Sequence, residues 1–370
     1  MQVIKRHEDR EIEQPDLTGM ESRQGSGSSV NFMEDTYFCL DLSLILFDNF
    51  RMLKLILTCF LFAQISSAGE TNQTRIGVIP WPGYDFLALA EKKGLFNQHG
   101  VNVKLINFAY ISDMKNAFRR GQLDGIAATT VDAYLNFQKS HKNPCQIIAT
   151  FDYSAGGDVL IAGPQIKNVA QLKGKTLGLE VMSLSSYMLA RILTKYQLKE
   201  SDLKLRPYMH MEMPGAIASG AVDAVITFPP SSIEVLKVKG TKVLFSSKEI
   251  PGEVLDVLLL TKKVISERPH DAEGIARALD EAIDYHRNFP MEAENIMAKS
   301  AGVALTDWRD GFSGLKMVTR DELQRSFKDG QTLKDILKTV EEVVSPKIRN
   351  PEKWDIESVI EPLMRYSGRK

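Results

Sequence analysis

Cysteine is scarce in this sequence: three among 370 residues, Cys39, Cys59 and Cys145, with no Cys-x-x-Cys pair. That spacing excludes a zinc or iron–sulfur site built on thiolates. Basic runs are missing too. The 46 Lys and Arg stand against 47 Asp and Glu, for a net charge of −1, so no nucleic-acid partner is expected. No Gly-x-Ser-x-Gly elbow, phosphate-binding loop or His-Glu-x-x-His helix occurs, which removes the usual marks of hydrolases, nucleotide enzymes and zinc peptidases. What remains is an ordinary globular composition, 44% apolar and 25% charged, long enough for two domains with separate cores. Neither a cofactor nor a metal is expected.

The first 51 residues differ from the rest. Met1 to Asp35 is polar, with the patch Gly25-Ser-Gly-Ser-Ser29, and the apolar stretch after it is broken by Asp41, Asp48 and Arg51. This extension reads as non-native or disordered. From Met52 the order changes to a short positive end at Lys54, an apolar run Leu55–Ile65, and Ser66-Ser67-Ala68 before Gly69. That is the order of a secretory signal peptide over residues 52–68, with Met52 as the expected start. Cys145 is then the one thiol of the mature chain and reads as buried and inert.

From Thr74 onward strand-like and helix-like segments alternate, which argues an α/β fold with mainly parallel sheets. Strands are expected at Arg75–Ile79, Val101–Phe108, Gly125–Ala128 and Ile147–Phe151, then at Thr176–Glu180, Leu203–Tyr208, Ala224–Thr227, Lys242–Ser246 and Val254–Leu260. Helices are expected at Asp85–Lys93, from Ser112 or Asp113 to Arg120, at Val131–Lys139 and at Ser185–Tyr196. A helical tail carries Ala272–Asn288, Pro290–Lys299, Leu333–Val343 and Ile356–Met364. Two stretches overlay: Gly121-Gln-Leu-Asp124-Gly125 and Gly220-Ala-Val-Asp223-Ala224. Each reads as a helix stop, an aspartate and a buried strand, so one unit is used twice. The expected division is residues 74–160 in a first lobe, 161–252 in a second, and 253–370 returning to the first.

These residues resemble a family. Trp81-Pro-Gly-Tyr84, Lys92-Lys-Gly-Leu-Phe96, Gly100-Val-Asn-Val103, Gly121-Gln-Leu-Asp124, Leu172-Lys-Gly-Lys175 and Gly220-Ala-Val-Asp223 look like the periplasmic substrate-binding proteins of ABC importers. The group is the nitrate/sulfonate/taurine type, related to binders of thiamine-pyrimidine precursors, and the match runs from about Arg75 to Gly302. The resemblance implies a type II periplasmic-binding-protein fold, two doubly wound α/β lobes around a ligand cleft. It also implies a monomer in the periplasm that captures a small molecule and hands it to a permease and ATPase complex at the inner membrane. A ligand-sensing protein of the same fold is the alternative. A pyrimidine-synthase-like enzyme would need a cysteine cluster that is lacking here, so no enzyme is expected.

Loops at the carboxyl ends of strands supply the candidate ligand contacts. Trp81 and Tyr84 are held beside two prolines and a glycine, ready to stack on a planar ligand. Thr129 and Thr130 follow a strand, and either could be a helix cap instead. Asp152 and Ser154 sit in Asp152-Tyr-Ser154-Ala-Gly-Gly-Asp158, which resembles the family's Asp-x-Ser-x-Gly-x-Asp signature. There Gly156 and Gly157 give hinge freedom and Asp158 pairs a backbone donor. Glu180, Ser183 and Ser186 lie where a helix start offers an anion seat, although the family commonly has glycine and histidine where Met182 and Ser186 stand. Thr227 and Phe228 end a strand at the cleft mouth, and His210 reads as a surface-loop residue. The loops carry Asp85, Asp152, Glu180 and Glu212 but no lysine or arginine. An amine-bearing zwitterion such as an aminosulfonate, or a heterocycle, suits them better than a bare inorganic anion.

Overall fold

Residues 73–139, 144–326 and 333–366 are described by the computed structural model; the polar extension and the expected signal peptide lie outside them. The strands are β1 (Gln73–Val78), β2 (Asn102–Asn107), β3 (Gly125–Thr129), β4 (Cys145–Ser154), β5 (Val159–Ala162), β6 (Thr176–Leu179), β7 (Lys204–Pro207), β8 (Ala224–Thr227), β9 (Lys242–Ser246), β10 (Leu255–Thr261) and β11 (Leu315–Met317). The helices are α1 (Asp85–Lys92), α2 (Leu95–Gln98), α3 (Ile111–Arg119), α4 (Thr130–Lys139), α5 (Leu184–Tyr196), α6 (Met213–Ala218) and α7 (Ser231–Lys237). The tail adds α8 (Lys262–Glu267), α9 (Pro269–Asn288), α10 (Pro290–Ala301), α11 (Leu305–Phe312), α12 (Arg320–Ser326), α13 (Leu333–Val344) and α14 (Ile356–Tyr366).

Two sheets result, ordered β11-β4-β10-β3-β1-β2 and β7-β6-β8-β5-β9. In the larger, β1 runs parallel to β2 and β3, whereas β10 is antiparallel to β3 and β4. In the smaller, β6 runs parallel to β7 and β8, whereas β5 is antiparallel to β8 and β9. The sheets are therefore mixed rather than mainly parallel. The cause is topological: β5 and β10 each enter from the other sheet without a helical crossover, and only such a crossover returns a strand parallel. β5 and β11 are additions to the strands read from sequence, being only four and three residues long.

The repeated glycine–aspartate unit has one geometry in both sheets. Gly121 and Gly220 take left-handed φ values of 73° and 72°, which end their helices at little cost because glycine lacks a Cβ. The Asp124 carboxylate accepts from the Arg75 amide at 2.9 Å, and the Asp223 carboxylate from the Thr176 amide at 2.8 Å. The register follows: Ile76 faces Gly125, and Leu177 faces Ala224.

The chain crosses between sheets twice, from Ser154 to Val159 and from Ser246 to Leu255. The two crossings are tied together by the buried Ser247 hydroxyl, 2.8 Å from Ser154 Oγ and 2.7 Å from the Gly156 amide that donates to it. Gly156 has φ 124°, a conformation that only glycine enters freely. The C-terminal helices then reach both lobes. α9 and α10 pack on α1, α14 packs on β4, α13 touches both α4 and α5, and α11 meets α7. Among the described residues no helix is long and apolar enough to cross a membrane.

Candidate ligand-binding site

Between β1 and α1 the chain turns through Pro80-Trp81-Pro82-Gly83, closed by the Tyr84 amide donating to the Trp81 carbonyl at 3.0 Å. Glycine is needed at 83 because the turn lies directly on Asp152: a Cβ there would fall 2.0 Å from Asp152 Oδ2. The Trp81 indole N–H donates to that same oxygen at 3.3 Å. Its ring meets Tyr84 at 6.4 Å and, edge-on across the cleft, Phe228 at 5.9 Å. Phe228 follows β8 in the smaller sheet, so the two lobes touch through aromatic rings.

Behind these rings lies a small cleft with a cavity volume of about 30 Å³. Its apolar wall is Ile79, Trp81, Tyr84, Ile111, Leu184 and Phe228, and its polar wall is Thr129, Asp132, Asp158, Glu180, Ser183 and Asp256. The carboxylates come from four separate places in the chain. Asp132 opens α4, where Thr129 Oγ1 donates to it at 2.9 Å and caps its amide at 3.1 Å. Asp256 lies on β10 and accepts from the Tyr84 hydroxyl. Asp158 is at the first crossing and Glu180 follows β6.

The acids here are buried, and that governs them. Burial pushes the Asp158 carboxyl up to about 7, with the charge of Asp132 adding to it. Burial, then the charge of Asp152, raise Asp256 well above the usual carboxylate range. Asp152 is raised as well, by burial first, against the opposing indole bond from Trp81. Burial and the charge of Asp256 push the Tyr84 phenol up, so it stays a donor.

Among the described residues, a cation reaches this wall from α3. Lys115, 6% exposed on α3, places its ammonium 2.7 Å from Asp132 Oδ1 and 3.0 Å from the Met182 carbonyl. Met182 belongs to the other lobe and has φ 55°, a left-handed conformation uncommon outside glycine. The Lys115 bond thus runs from one lobe to the other.

Of the expected contacts, Trp81, Tyr84, Thr129, Glu180, Ser183 and Phe228 line the cleft. Asp152 lies behind the aromatic turn, against the Trp81 indole. Thr130 and Thr227 are buried with hydroxyl oxygens that meet no partner among the described residues. Ser154 serves the hinge, accepting the Asp158 amide at 3.1 Å. Ser186 turns away; its hydroxyl accepts from the Met182 amide at 3.1 Å and it borders a different cavity.

Several expectations are corrected. Asp85 accepts from the Trp308 indole at 2.7 Å, outside the cleft, and Glu212 accepts from the Met209 amide on the surface. Both belong to helix starts, where carboxylates close the first turn. Asp158, expected to be structural, puts its carboxyl in the cleft wall. His210 is 0% exposed rather than on the surface, stacked on Phe228 with ring centroids 4.6 Å apart. The expected anion seat at the start of α5 is self-satisfied: Ser183 Oγ accepts from the Ser185 amide at 3.2 Å and donates to the Glu180 carbonyl at 2.7 Å. Neither Ser112 nor Asp113 caps α3, which starts at Ile111 after Tyr110. Lys115, Asp132 and Asp256 are site residues that the strand-end rule missed. Asp256 carried a signal, an acid inside an otherwise apolar strand, while Lys115 looks like any solvated helix lysine. Among the described residues no group of three or more His, Cys, Asp or Glu is arranged to hold a metal ion.

Comparison with known proteins gives the following. A family model described as NMT1/THI5 like matches residues 81–293. A Brucella abortus (strain 2308) protein, provisionally named as a binding protein, is 24% identical over 298 residues, 76% of this chain and 87% of its own length. Among solved structures, the periplasmic aliphatic sulphonate binding protein SsuA from Escherichia coli is similar with a TM-score of 0.64 and 16% identity. That match covers 79% of this chain and 99% of SsuA. The desulfurization enzyme DszB is similar with a TM-score of 0.61 and 13% identity, over 79% of this chain and 98% of its own. These structural likenesses establish a shared two-lobed fold.

Proposed function

The chain belongs to the NMT1/THI5-like family, and from that footing we propose that it is an extracytoplasmic solute-binding protein of an ABC importer. It captures a small amine-bearing or heterocyclic solute, an aminosulfonate among the candidates, between its lobes and presents the closed form to a membrane permease. The observation that carries this reading is the cleft itself: aromatic rings and acceptors from both lobes converge on one small space. A solute that bonds both walls favours the closed form by the difference in its affinity for closed and open states. The name of SsuA and the provisional name of the Brucella protein support a binding role. Export through residues 52–68 and a periplasmic location are part of the same proposal.

DszB is named as an enzyme, so an enzymatic reading is the alternative; among the described residues the thiol of Cys145 does not supply it with a nucleophile. Cys145 begins β4, its sulfur accepts from the Asn136 amide at 3.6 Å, and burial pushes it up to about 11. Such a thiol is a poor nucleophile, and it does not line the cleft.

The test is a thermal-shift screen of the chain from Gly69 onward against taurine, alkanesulfonates, aminopyrimidines, simple amines and nitrate. A ligand that binds only the folded state raises the unfolding midpoint by mass action. A shift with an organic amine or heterocycle is expected. A shift with nitrate alone would reject the organic-solute reading.

A further inference from the structure

The cleft contains more acceptors than donors, and their positions specify the charge of what it holds. Among the described residues, Glu180 Oε1 and Oε2, Asp158 Oδ2 and Asp256 Oδ2 meet no hydrogen-bond partner. These residues are 5%, 4% and 1% exposed. A buried carboxylate left without donors is costly, by several kcal/mol in the general case. The arrangement becomes favourable when N–H donors are brought between the walls.

The lysine at this wall is already committed. The Lys115 ammonium is held by Asp132 and by the Met182 carbonyl. His210 is not committed: neither ring nitrogen has a hydrogen-bond partner among the described residues, Nδ1 lies 3.6 Å from Glu180 Oε2, and the ring stacks on Phe228. At the start of α5 the Ser185 and Ser186 amides are bonded to Ser183. An acid group entering the cleft would meet four carboxyl groups from four places in the chain; Lys115 could serve it only by giving up its partners, and His210 stands behind Glu180. The faces of Trp81, Tyr84 and Phe228 add to the attraction for a cation.

We propose that the solute is a small organic cation without an acidic group, its N–H donors shared between Asp158 and Glu180 on one side and Asp256 on the other. The proposal rests on the solute-binding reading above and narrows it: ammonium, guanidinium or amidinium compounds fit, whereas the sulfonate named for SsuA and an aminosulfonate do not.

Three probes of equal carbon skeleton separate the charges: ethylamine, taurine and ethanesulfonate, with guanidinium and nitrate as further arms, titrated against the chain from Gly69 onward. Thermal shifts with ethylamine or guanidinium that exceed the taurine shift, and none with ethanesulfonate or nitrate, are expected. Glu180→Gln keeps the side-chain volume and removes one charge. It should weaken the bound amine about tenfold or more, as loss of a charge-assisted bond predicts. Taurine or ethanesulfonate binding better than ethylamine would overturn the proposal and leave the solute-binding reading intact. No shift with any arm would overturn both. Amine binding unchanged by Glu180→Gln would remove the assigned wall and overturn the proposal on that ground.

Discussion

Asp158 shows how a residue can be misread when its surroundings are unknown. In sequence it closes an Asp-x-Ser-x-Gly-x-Asp run and reads as a backbone anchor; in the fold its amide is the anchored group and its carboxyl faces the cleft. Folding holds that carboxyl near 7, against an ordinary value of 3.8. The sign follows from linkage: the folded chain binds the proton more tightly, so the contribution is present below the ordinary value and is lost as pH rises through about 7. Burial is the main cause, a Ser154 bond opposes it and the charge of Asp132 adds to it; Asp158 in turn raises Asp152 and Asp256. Asp158→Asn removes one such group. In urea unfolding the variant should gain stability relative to wild type between about pH 5 and pH 8; a constant difference across that range would contradict the assigned burial. Lys115 and Asp132 were not legible for a different reason. A lysine on an amphipathic helix and an acid in a helix's first turn look solvated until the opposite lobe is in place.

At the scale of elements, the legible features are those with local causes. Gly121 and Gly220 stop helices by left-handed φ, and Asp124 and Asp223 each clamp a backbone amide of a neighbouring strand, Arg75 in β1 and Thr176 in β6, so the repeated unit is visible in the order of residues alone. The strands β5 and β11 are not, because three or four residues carry too little periodicity. Their pairing is decided by where the crossings deliver the chain. Those crossings depend on Ser247, whose hydroxyl serves both Ser154 and Gly156. Ser247→Ala strands the part-buried Gly156 amide, takes a partner from the buried Ser154 hydroxyl, and should cost about 1–3 kcal/mol in chemical denaturation. A cost near zero would show that the two crossings do not depend on this bond.

For the whole molecule, the fold class was the most accessible property, since the alternation of elements and the repeated unit both report on it. The antiparallel entry of β5 and β10 was not accessible, because it depends on the order in which one chain visits two lobes. That order also places the site. Each sheet turns its strand ends toward the other, the aromatic turn of β1 meets Phe228, and Lys115 spans from Asp132 to the Met182 carbonyl. The C-terminal helices touch both lobes, α13 through α4 and α5, so closing the cleft involves the tail as well as the two crossings. The central claim is that this closed space is where a solute binds, with Trp81 as its first-lobe wall. Calorimetric titration of wild type and Trp81→Ala with ethylamine and guanidinium tests it most directly, with circular dichroism recording the fold. The account predicts unchanged secondary structure and binding at least about tenfold weaker in the variant, as loss of an aromatic anchor entails; equal affinity in the two proteins would contradict it.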